Sequence, residues 1–167
     1  LNSLKARNYQ KKQVNIIFDL DGTLIDPREG IIGSLKYMLR ELKLSSPADT
    51  ELEKYIGPPL QENVVSLLGP NDPVKIAKGI ELYREHFALK GIYQSTIYPG
   101  INTSLKTLHQ NSERLFVATS KPLTYTNQIM DHYDLRKFFS GVYDAELDGT
   151  RAKKDELIGY LLRNESL

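Results

Sequence analysis

Runs of apolar residues predict three buried β-strands. Residues 14–18 and 115–118 are rich in β-branched and aromatic side chains, and each run stops at a polar turn. A third, shorter strand is predicted around residues 142–144. Helical patterns separate the three runs, and strands that alternate with helices are typical of an α/β fold with a parallel sheet.

Apolar residues at helical spacing predict amphipathic helices between and after these strands. The predicted helices are residues 27–43, 47–57, 60–68, 73–90, 101–110 and 124–132, with a last one after residue 155. Several of them lie between the first strand and the second. Because one crossover helix would be enough to join two parallel strands, the pattern predicts a helical insertion over residues 27–95.

Two carboxylates, Asp19 and Asp21, follow the first strand immediately, and Gly22 then turns the chain. Side chains at i and i+2 of an extended chain point the same way, and ligands of parallel α/β sheets collect outside the carboxyl ends of the strands. The arrangement suits one nucleophile and one proton-transfer group. The alternative is a solvated turn, because Asp and Gly are common turn formers.

The composition sets limits on the partners. The chain has 167 residues, of which 40% are hydrophobic and 26% charged, so it can bury one sizeable core, alone or with a small appended lobe. A formal net charge of +1 gives no overall field to attract nucleic acid or a membrane. No apolar run approaches the about 20 residues of a membrane span, and cysteine is absent. We therefore predict a cytoplasmic protein, and its partner has to be argued from a site rather than from overall charge.

Residues 1–13 contain four basic side chains and little periodic apolar content, which predicts a mobile leader. An arm that binds nucleic acid is the alternative interpretation. Four charges make a small patch for that role, so the leader is preferred.

The residues around the two carboxylates carry a family resemblance. The string Asp-Leu-Asp-Gly-Thr-Leu-Ile-Asp, directly after an apolar strand, resembles the first motif of the haloacid dehalogenase (HAD) superfamily, most of whose members are phosphatases. The resemblance implies that Asp19 attacks phosphorus, that Asp21 is the general acid and base, and that Thr23 is a turn residue and phosphate-side contact. An anionic nucleophile that attacks a phosphate needs a cation, so the resemblance also implies Mg²⁺ at Asp19 and Asp21.

Two further motifs of the superfamily are matched later in the chain. The strand 115–118 ends in Thr119 and Ser120, and the resemblance implies that Thr119 binds the transferring phosphoryl group with Ser120 beside it. A hydroxyl pair after a strand would by itself usually be a helix cap. The third motif is a lysine at a helix entry, and position relative to the Gly-Thr-Arg turn favours Lys154 over Lys153. Arg151, in that turn, is expected to face the substrate.

Shorter strings look like the phosphoglycolate phosphatase and bacterial 5′-nucleotidase branch of the superfamily. They stand at residues 57–60, 83–84, 98–100, 119–122 and 148–151. The resemblance implies a core of residues 14–26 and 96–167, with residues 27–95 as a helical cap that excludes water and selects the substrate. Arg84 would then contact the substrate. The alternative is a helical bundle with a merely structural role.

The chain departs from the family pattern after Lys154, because no Gly-Asp motif with a further acidic residue follows it. In the family these acids help to hold magnesium, on a strand next to the first one. We therefore expect a chain with its C-terminal strands missing, weakened Mg²⁺ binding, and an open apolar sheet edge through which the chain self-associates. The predicted fold is an α/β HAD-like Rossmannoid parallel sheet with an inserted helical cap.

The predicted function is a Mg²⁺-dependent phosphomonoester hydrolase that works through an aspartyl-phosphate. Its substrate would be a small phosphorylated metabolite of the phosphoglycolate or nucleoside monophosphate type. The main alternative is a non-catalytic binding or regulatory module that keeps the fold and has lost the metal site. A sugar phosphomutase on the same core is a less favoured alternative.

Overall fold

The structure is a computed structural model that describes residues 13–111 and 113–167. The predicted leader, residues 1–13, lies outside the described residues except for Gln13. None of the described helices is both long and apolar enough to cross a membrane.

The strands of the described part form two sheets. In chain order they are β1 (Asn15–Phe18), β2 (Ile25–Asp26), β3 (Thr96–Ile97), β4 (Arg114–Pro122) and β5 (Gly141–Ala145). The larger sheet is parallel and has the order β1-β4-β5, with Ile16 opposite Leu115 and Val117 opposite Val142. The predicted α/β class with a parallel sheet is therefore confirmed.

Helices surround the larger sheet and fill the segment between β2 and β3. They are α1 (Arg28–Glu41), α2 (Asp49–Leu52), α3 (Leu60–Leu68), α4 (Pro73–Leu89), α5 (Ile101–Gln110), α6 (Leu123–His132) and α7 (Lys154–Glu165). Short 3₁₀ turns follow α2 at Glu53–Tyr55 and α4 at Gly91–Tyr93. The ends of most predicted helices differ from these bounds by a few residues at most.

The second predicted helix is shorter than expected. Prediction began it at Pro47, but Ala48 is still extended, with a ψ of 152°, and α2 begins at Asp49. The Glu51 carboxylate accepts a hydrogen bond from the Ala48 N–H at 3.0 Å, which satisfies a backbone group at the helix start. The helix therefore begins two residues after Pro47, where the sequence pattern had placed its start.

The core lies on both faces of β4, the middle strand of the larger sheet. Leu115 and Val117 face the main cluster, which includes Leu20 and Met130, whereas Phe116 and Ala118 pack with α7. Successive side chains of a strand point to opposite faces, so a strand covered on both sides reads as a continuous apolar run. This explains why the sequence of β4 shows a continuous apolar run from Leu115 to Ala118.

Strands β2 and β3 pair antiparallel, with Ile25 opposite Ile97 and Asp26 opposite Thr96. The chain therefore enters and leaves the helical segment at one place. Two residues are too few for an alternating pattern, so the sequence did not predict this pair. The pair brings both ends of the helical segment close to the turn that carries Asp19 and Asp21.

Candidate active site

The turn after β1 is fixed by backbone hydrogen bonds. The N–H groups of Leu24 and Ile25 donate to the Leu20 carbonyl at 3.0 and 3.1 Å, and Gly22 has a φ of +76°. Only glycine adopts this backbone conformation at little cost. The Asp19 carboxylate accepts the Leu20 N–H through Oδ1 at 2.8 Å. The turn therefore holds Asp19 at the carboxyl end of the sheet, as the sequence predicted.

Lys154 joins three parts of the site. Its Nζ lies 2.9 Å from Asp19 Oδ1 and donates to the Ala118 carbonyl at 2.8 Å. The first contact reaches the turn after β1, and the second reaches β4. Lys153 is exposed and precedes α7 as its N-cap, so the structure brings Lys154 rather than Lys153 to Asp19. The positive charge on Lys154 Nζ therefore compensates the negative charge of the Asp19 carboxylate.

A second lysine contacts the other carboxylate. Lys121 Nζ lies 2.9 Å from Asp21 Oδ2, and the two side chains are only 7% and 12% exposed. The same ammonium lies 4.5 Å from the centroid of the Phe87 ring on α4. Sequence reasoning did not select Lys121 as a site residue. The available signal was its place in the polar run that follows the buried part of β4.

The hydroxyl residues of the site differ in their surroundings. Thr119 is buried, and its Oγ1 accepts a hydrogen bond from the Lys121 N–H at 3.2 Å. Ser120 Oγ donates to the Ala152 carbonyl at 2.7 Å, which ties β4 to the segment before α7. Thr23 is exposed in the turn after β1, so the structure does not bring it into the enclosed part of the site.

A cavity separates the carboxylate turn from the helices α3 and α4. Its wall on the helical side carries aromatic rings and Arg84, and its wall on the sheet side carries Asp21, Ser120 and Lys121. The aromatic members are Tyr55, Tyr83 and Phe87 from the helical segment and Tyr125 from α6, and Gly57, Pro58, Pro59 and Leu60 complete one end. Asp19, Thr119, Lys154 and Arg151 stand outside this lining. The cavity thus opens on Asp21, next to the contact between Asp19 and Lys154.

The two arginines selected from the sequence contact the loop between β5 and α7. Arg84 Nη2 donates to the Leu147 carbonyl at 2.6 Å, while its Nε is buried without a hydrogen-bond partner. Arg151 pairs with Glu146 at 2.8 Å and lies 4.6 Å from the centroid of the Tyr160 ring. Arg84 lines the cavity, whereas Arg151 is held against the loop itself.

Burial shifts the titration of groups around the site. Burial raises the pKa of the Tyr83 hydroxyl, and the nearby Asp21 charge raises it further, so Tyr83 stays neutral. Burial also raises the pKa of the Asp144 carboxyl on β5 to about 6, although Arg151 opposes the shift. Asp144 Oδ2 is buried without a hydrogen-bond partner, which is consistent with a pKa above the usual range for this carboxyl.

The site offers two oxygen donors of the kind that Mg²⁺ prefers. Magnesium commonly uses one or two protein carboxylates and completes its shell with water and substrate phosphate. The Asp19 carboxylate fits such a shell, and Asp21 adds a second oxygen, Oδ1, which is buried without a hydrogen-bond partner. Among the described residues, no group of three or more His, Cys, Asp or Glu side chains is placed to hold a metal. The residues therefore fit a cation that shares its shell with the substrate.

Comparison with known proteins identifies the family. Residues 16–166 match the haloacid dehalogenase-like hydrolases. A 5′-nucleotidase from Pseudomonas aeruginosa is 41% identical over 153 residues, which are 92% of this chain and 69% of that protein. Tyrosine-protein kinase PtkA from Mycobacterium tuberculosis is 30% identical over 148 residues, 88% of this chain and 50% of that protein. A phosphoglycolate phosphatase from Vibrio parahaemolyticus is 25% identical, over 78% of this chain and 60% of that protein.

The fold agrees with these matches. The crystal structure of a predicted phosphatase from Clostridium acetobutylicum has a TM-score of 0.86 and 33% identity, over 93% of this chain and 71% of that one. The chain thus spans between half and about 70% of the length of these relatives. The resemblance drawn from the motifs is confirmed: the chain is a member of the haloacid dehalogenase-like hydrolase family and groups with its phosphatases.

Proposed function

We propose that the site hydrolyses phosphate monoesters, with Asp19 as the nucleophile. The observation that carries the proposal is the contact of Asp19 with Lys154 at the carboxyl end of β1, beside a cavity that opens on Asp21. A carboxylate is a weak nucleophile toward an anionic phosphate, and a fixed cation at its side lowers the repulsion between them. The site therefore has a nucleophile, a compensating charge, a second carboxylate and room for a leaving group.

The first step forms a covalent intermediate. An oxygen of Asp19 attacks phosphorus, the bond from phosphorus to the ester oxygen breaks, and Asp21 donates a proton to that oxygen. Lys154 stabilises the charge that is shared between Asp19 and the phosphoryl group. The products of this step are an alcohol and an aspartyl-phosphate at Asp19.

The second step releases phosphate. A water molecule attacks phosphorus, Asp21 takes a proton from that water, and the bond from phosphorus to the Asp19 oxygen breaks. Asp21 thereby returns to the state in which it can donate a proton again. When bound, Mg²⁺ at Asp19 and Asp21 would supply further compensation of the phosphate charge.

The helical segment over residues 27–95 would act as the cap that selects the leaving group. Tyr55, Tyr83 and Phe87 face the cavity from that side, together with Arg84. Such a lining suits a small phosphorylated metabolite with an apolar or planar part. Nucleoside monophosphates and phosphoglycolate, the substrate types that the names of two relatives suggest, are the first to test.

The experiment measures release of phosphate from p-nitrophenyl phosphate by the wild type and by Asp19→Asn, with Mg²⁺ and with EDTA. We expect turnover in the wild type, a strong loss in EDTA, and background rates in the variant, because a carboxamide does not form an acyl phosphate. After rapid quenching, borohydride should reduce a phosphorylated Asp19 to homoserine, which mass spectrometry detects. Equal rates in wild type and variant would exclude Asp19 as nucleophile. A folded wild type without turnover would favour the non-catalytic module.

A further inference from the structure

One end of the cavity is formed by a loop that has few hydrogen-bond donors of its own. This loop, residues 57–59, joins the 3₁₀ turn Glu53–Tyr55 to α3, and all three of its residues line the cavity. Pro58 and Pro59 have no N–H, so two of the three residues cannot donate a backbone hydrogen bond. Gly57 has a φ of +106°, which belongs to neither a helix nor a strand. The position of the loop therefore depends on contacts from outside it.

Asn63 on α3 supplies two such contacts. Its Nδ2 donates to the Tyr55 carbonyl at 2.8 Å and to the Pro58 carbonyl at 3.3 Å. The residue is only 6% exposed. Both partners are oxygens that only accept, and the NH₂ end of an asparagine carries exactly two hydrogens to donate. One buried amide thus joins the chain on both sides of Gly57.

The two carbonyls that Asn63 holds belong to residues of the cavity wall. Tyr55 and Pro58 line the cavity, as does Asn63 itself. A buried amide with its hydrogen bonds made is common in proteins and usually serves the fold alone. Here the backbone that the amide fixes carries the surface that a leaving group would meet. Asp19 and Lys154 stand outside this lining, so the wall can move without moving their contact.

We propose that Asn63 is a positioning residue for substrate selection: its amide fixes Tyr55 and the loop 57–59 as the end wall against which the leaving group packs. The inference rests on the proposed hydrolysis of phosphate monoesters and adds to it the residue that sets the shape of the leaving-group site. Asn63 exchanges no proton and does not touch the phosphoryl group. Its loss should therefore change the binding of leaving groups that reach the wall, and spare the chemistry of smaller esters.

The test compares KM and kcat for methyl phosphate and p-nitrophenyl phosphate in the wild type and in Asn63→Leu. Leucine is close to asparagine in size but has no donor. We expect KM for the nitrophenyl ester to rise about tenfold with kcat within about twofold, and both constants for methyl phosphate to stay within about twofold. Each ester is compared with itself, so their different reactivities cancel. Glu62→Gln, an exposed neighbour on α3, is the control and should change neither constant.

This comparison separates positioning from a merely structural role. A variant that is partly unfolded has fewer active molecules, which lowers the apparent kcat of both esters alike and leaves each KM unchanged. Losses of equal size for the two esters in Asn63→Leu would therefore overturn the proposal. An unchanged KM for the nitrophenyl ester would overturn it as well.

Two glycines of the same region give a matched pair that leaves the amide in place. Gly57 and Gly69 both have positive φ, and a Cβ at either would meet no described atom within 4 Å. Alanine at each position should therefore act through backbone strain alone. Gly57 lines the cavity, whereas Gly69 ends α3 outside the lining. Gly57→Ala should raise KM for the nitrophenyl ester and Gly69→Ala should not. The same KM in both variants would overturn the proposal, even where Asn63→Leu does not fold.

Hydrogen exchange tests the hold of Asn63 on the loop without turnover. Amides of a peptide over residues 53–62 should exchange about tenfold faster in Asn63→Leu than in the wild type, and at the wild-type rate in Glu62→Gln. Unchanged exchange in Asn63→Leu would show that the amide does not fix the loop, and would overturn the proposal. Absence of turnover in the wild type would instead contradict the proposed hydrolysis, and the exchange experiment would still decide whether Asn63 holds the wall.

Discussion

Lys154 Nζ lies 2.9 Å from Asp19 Oδ1 and, through a second hydrogen bond, 2.8 Å from the Ala118 carbonyl. The lysine therefore joins the first residue of α7 to both the turn after β1 and the strand β4. In the proposed reaction, a cation anchored in this way is already in place when negative charge develops on the phosphoryl group. Preorganised charge of this kind is among the largest contributions to enzymatic rates.

Replacing Lys154 should therefore slow the chemical step. Lys154→Met should lower kcat by about 10²–10³-fold, by analogy with the loss of a single stabilising donor from other sites. Steady-state kinetics with p-nitrophenyl phosphate measures the effect. Lys153→Met is the matched control, because Lys153 is the neighbouring lysine and is exposed. A larger loss in Lys153→Met than in Lys154→Met would contradict the assignment.

Arg84 should affect substrate choice more than chemistry. It lines the cavity, donates to the Leu147 carbonyl at 2.6 Å, and leaves Nε without a partner. In Arg84→Ala, kcat/KM should fall about tenfold more for a nucleoside monophosphate than for the small ester methyl phosphate, because only the larger leaving group reaches the arginine. Arg163→Ala, an exposed arginine on α7, is the control. An identical loss for every ester would count against a role in specificity.

Asp144 should make stability depend on pH. Burial raises its pKa in the folded chain to about 6, above the value near 4 of an unfolded aspartate. Between these two values the folded state binds more protons than the unfolded state, so the contribution of Asp144 to stability falls as pH rises from about 4 to about 6. Arg151 and Glu146 are the charges that act on the group, in opposite directions.

The comparison of wild type with Asp144→Asn isolates this contribution. The amide copies the neutral carboxyl, so the two proteins should be close in stability near pH 4. Above pH 6 the variant should be the more stable. Urea unfolding at several pH values measures the difference in the free energy of unfolding. A difference that does not change with pH would show that Asp144 titrates normally.

The contact between α1 and the 3₁₀ turn Gly91–Tyr93 should tolerate no side chain at Gly30. A Cβ there would lie 2.0 Å from the Gly91 carbonyl oxygen, a backbone atom that cannot move aside. Gly30→Ala should therefore lower the free energy of unfolding by about 2–3 kcal/mol, despite the better helix propensity of alanine. Thermal and urea unfolding measure the loss.

Gly33 provides the matched control on the same helix. A Cβ at Gly33 would meet its nearest atom, His86 Cε1, at 3.7 Å, which is ordinary contact. Gly33→Ala should be neutral or raise the free energy of unfolding by up to about 1 kcal/mol. Equal losses from both variants would show that the close approach of Gly30 to Gly91 is not the cause of the lost stability.

The chain is expected to self-associate through the open edge of the sheet at β1. Among the described residues, β4 is the only strand neighbour of β1, and Val14 before it is 49% exposed. An open strand edge is a template for pairing with another chain, and a lysine at the edge opposes it. Sedimentation should show association that rises with concentration and that decreases in Val14→Lys. A monomer at every concentration would contradict the expectation.

The sequence was informative where a pattern was long or chemically distinctive. The strand before Asp19 and the long helix ending at Leu89 have enough residues to show their period, and the acidic turn stood out by its spacing. Lys121 was missed because its role comes from the pairing of β4 with a turn about 100 residues earlier and from a ring on α4. Contacts of that kind depend on how elements pack, which no local pattern records.

The antiparallel pairing of β2 with β3 has a consequence for how such a protein can be re-engineered. Neighbouring strands lie about 4.8 Å apart, so the two ends of the intervening helical segment are nearly adjacent in space. A segment whose ends meet can be removed and bridged by a short hairpin, or replaced by a foreign one, without moving the strands it leaves. If residues 27–95 select the substrate as proposed, we expect a segment transplanted between Asp26 and Thr96 to carry its substrate preference with it.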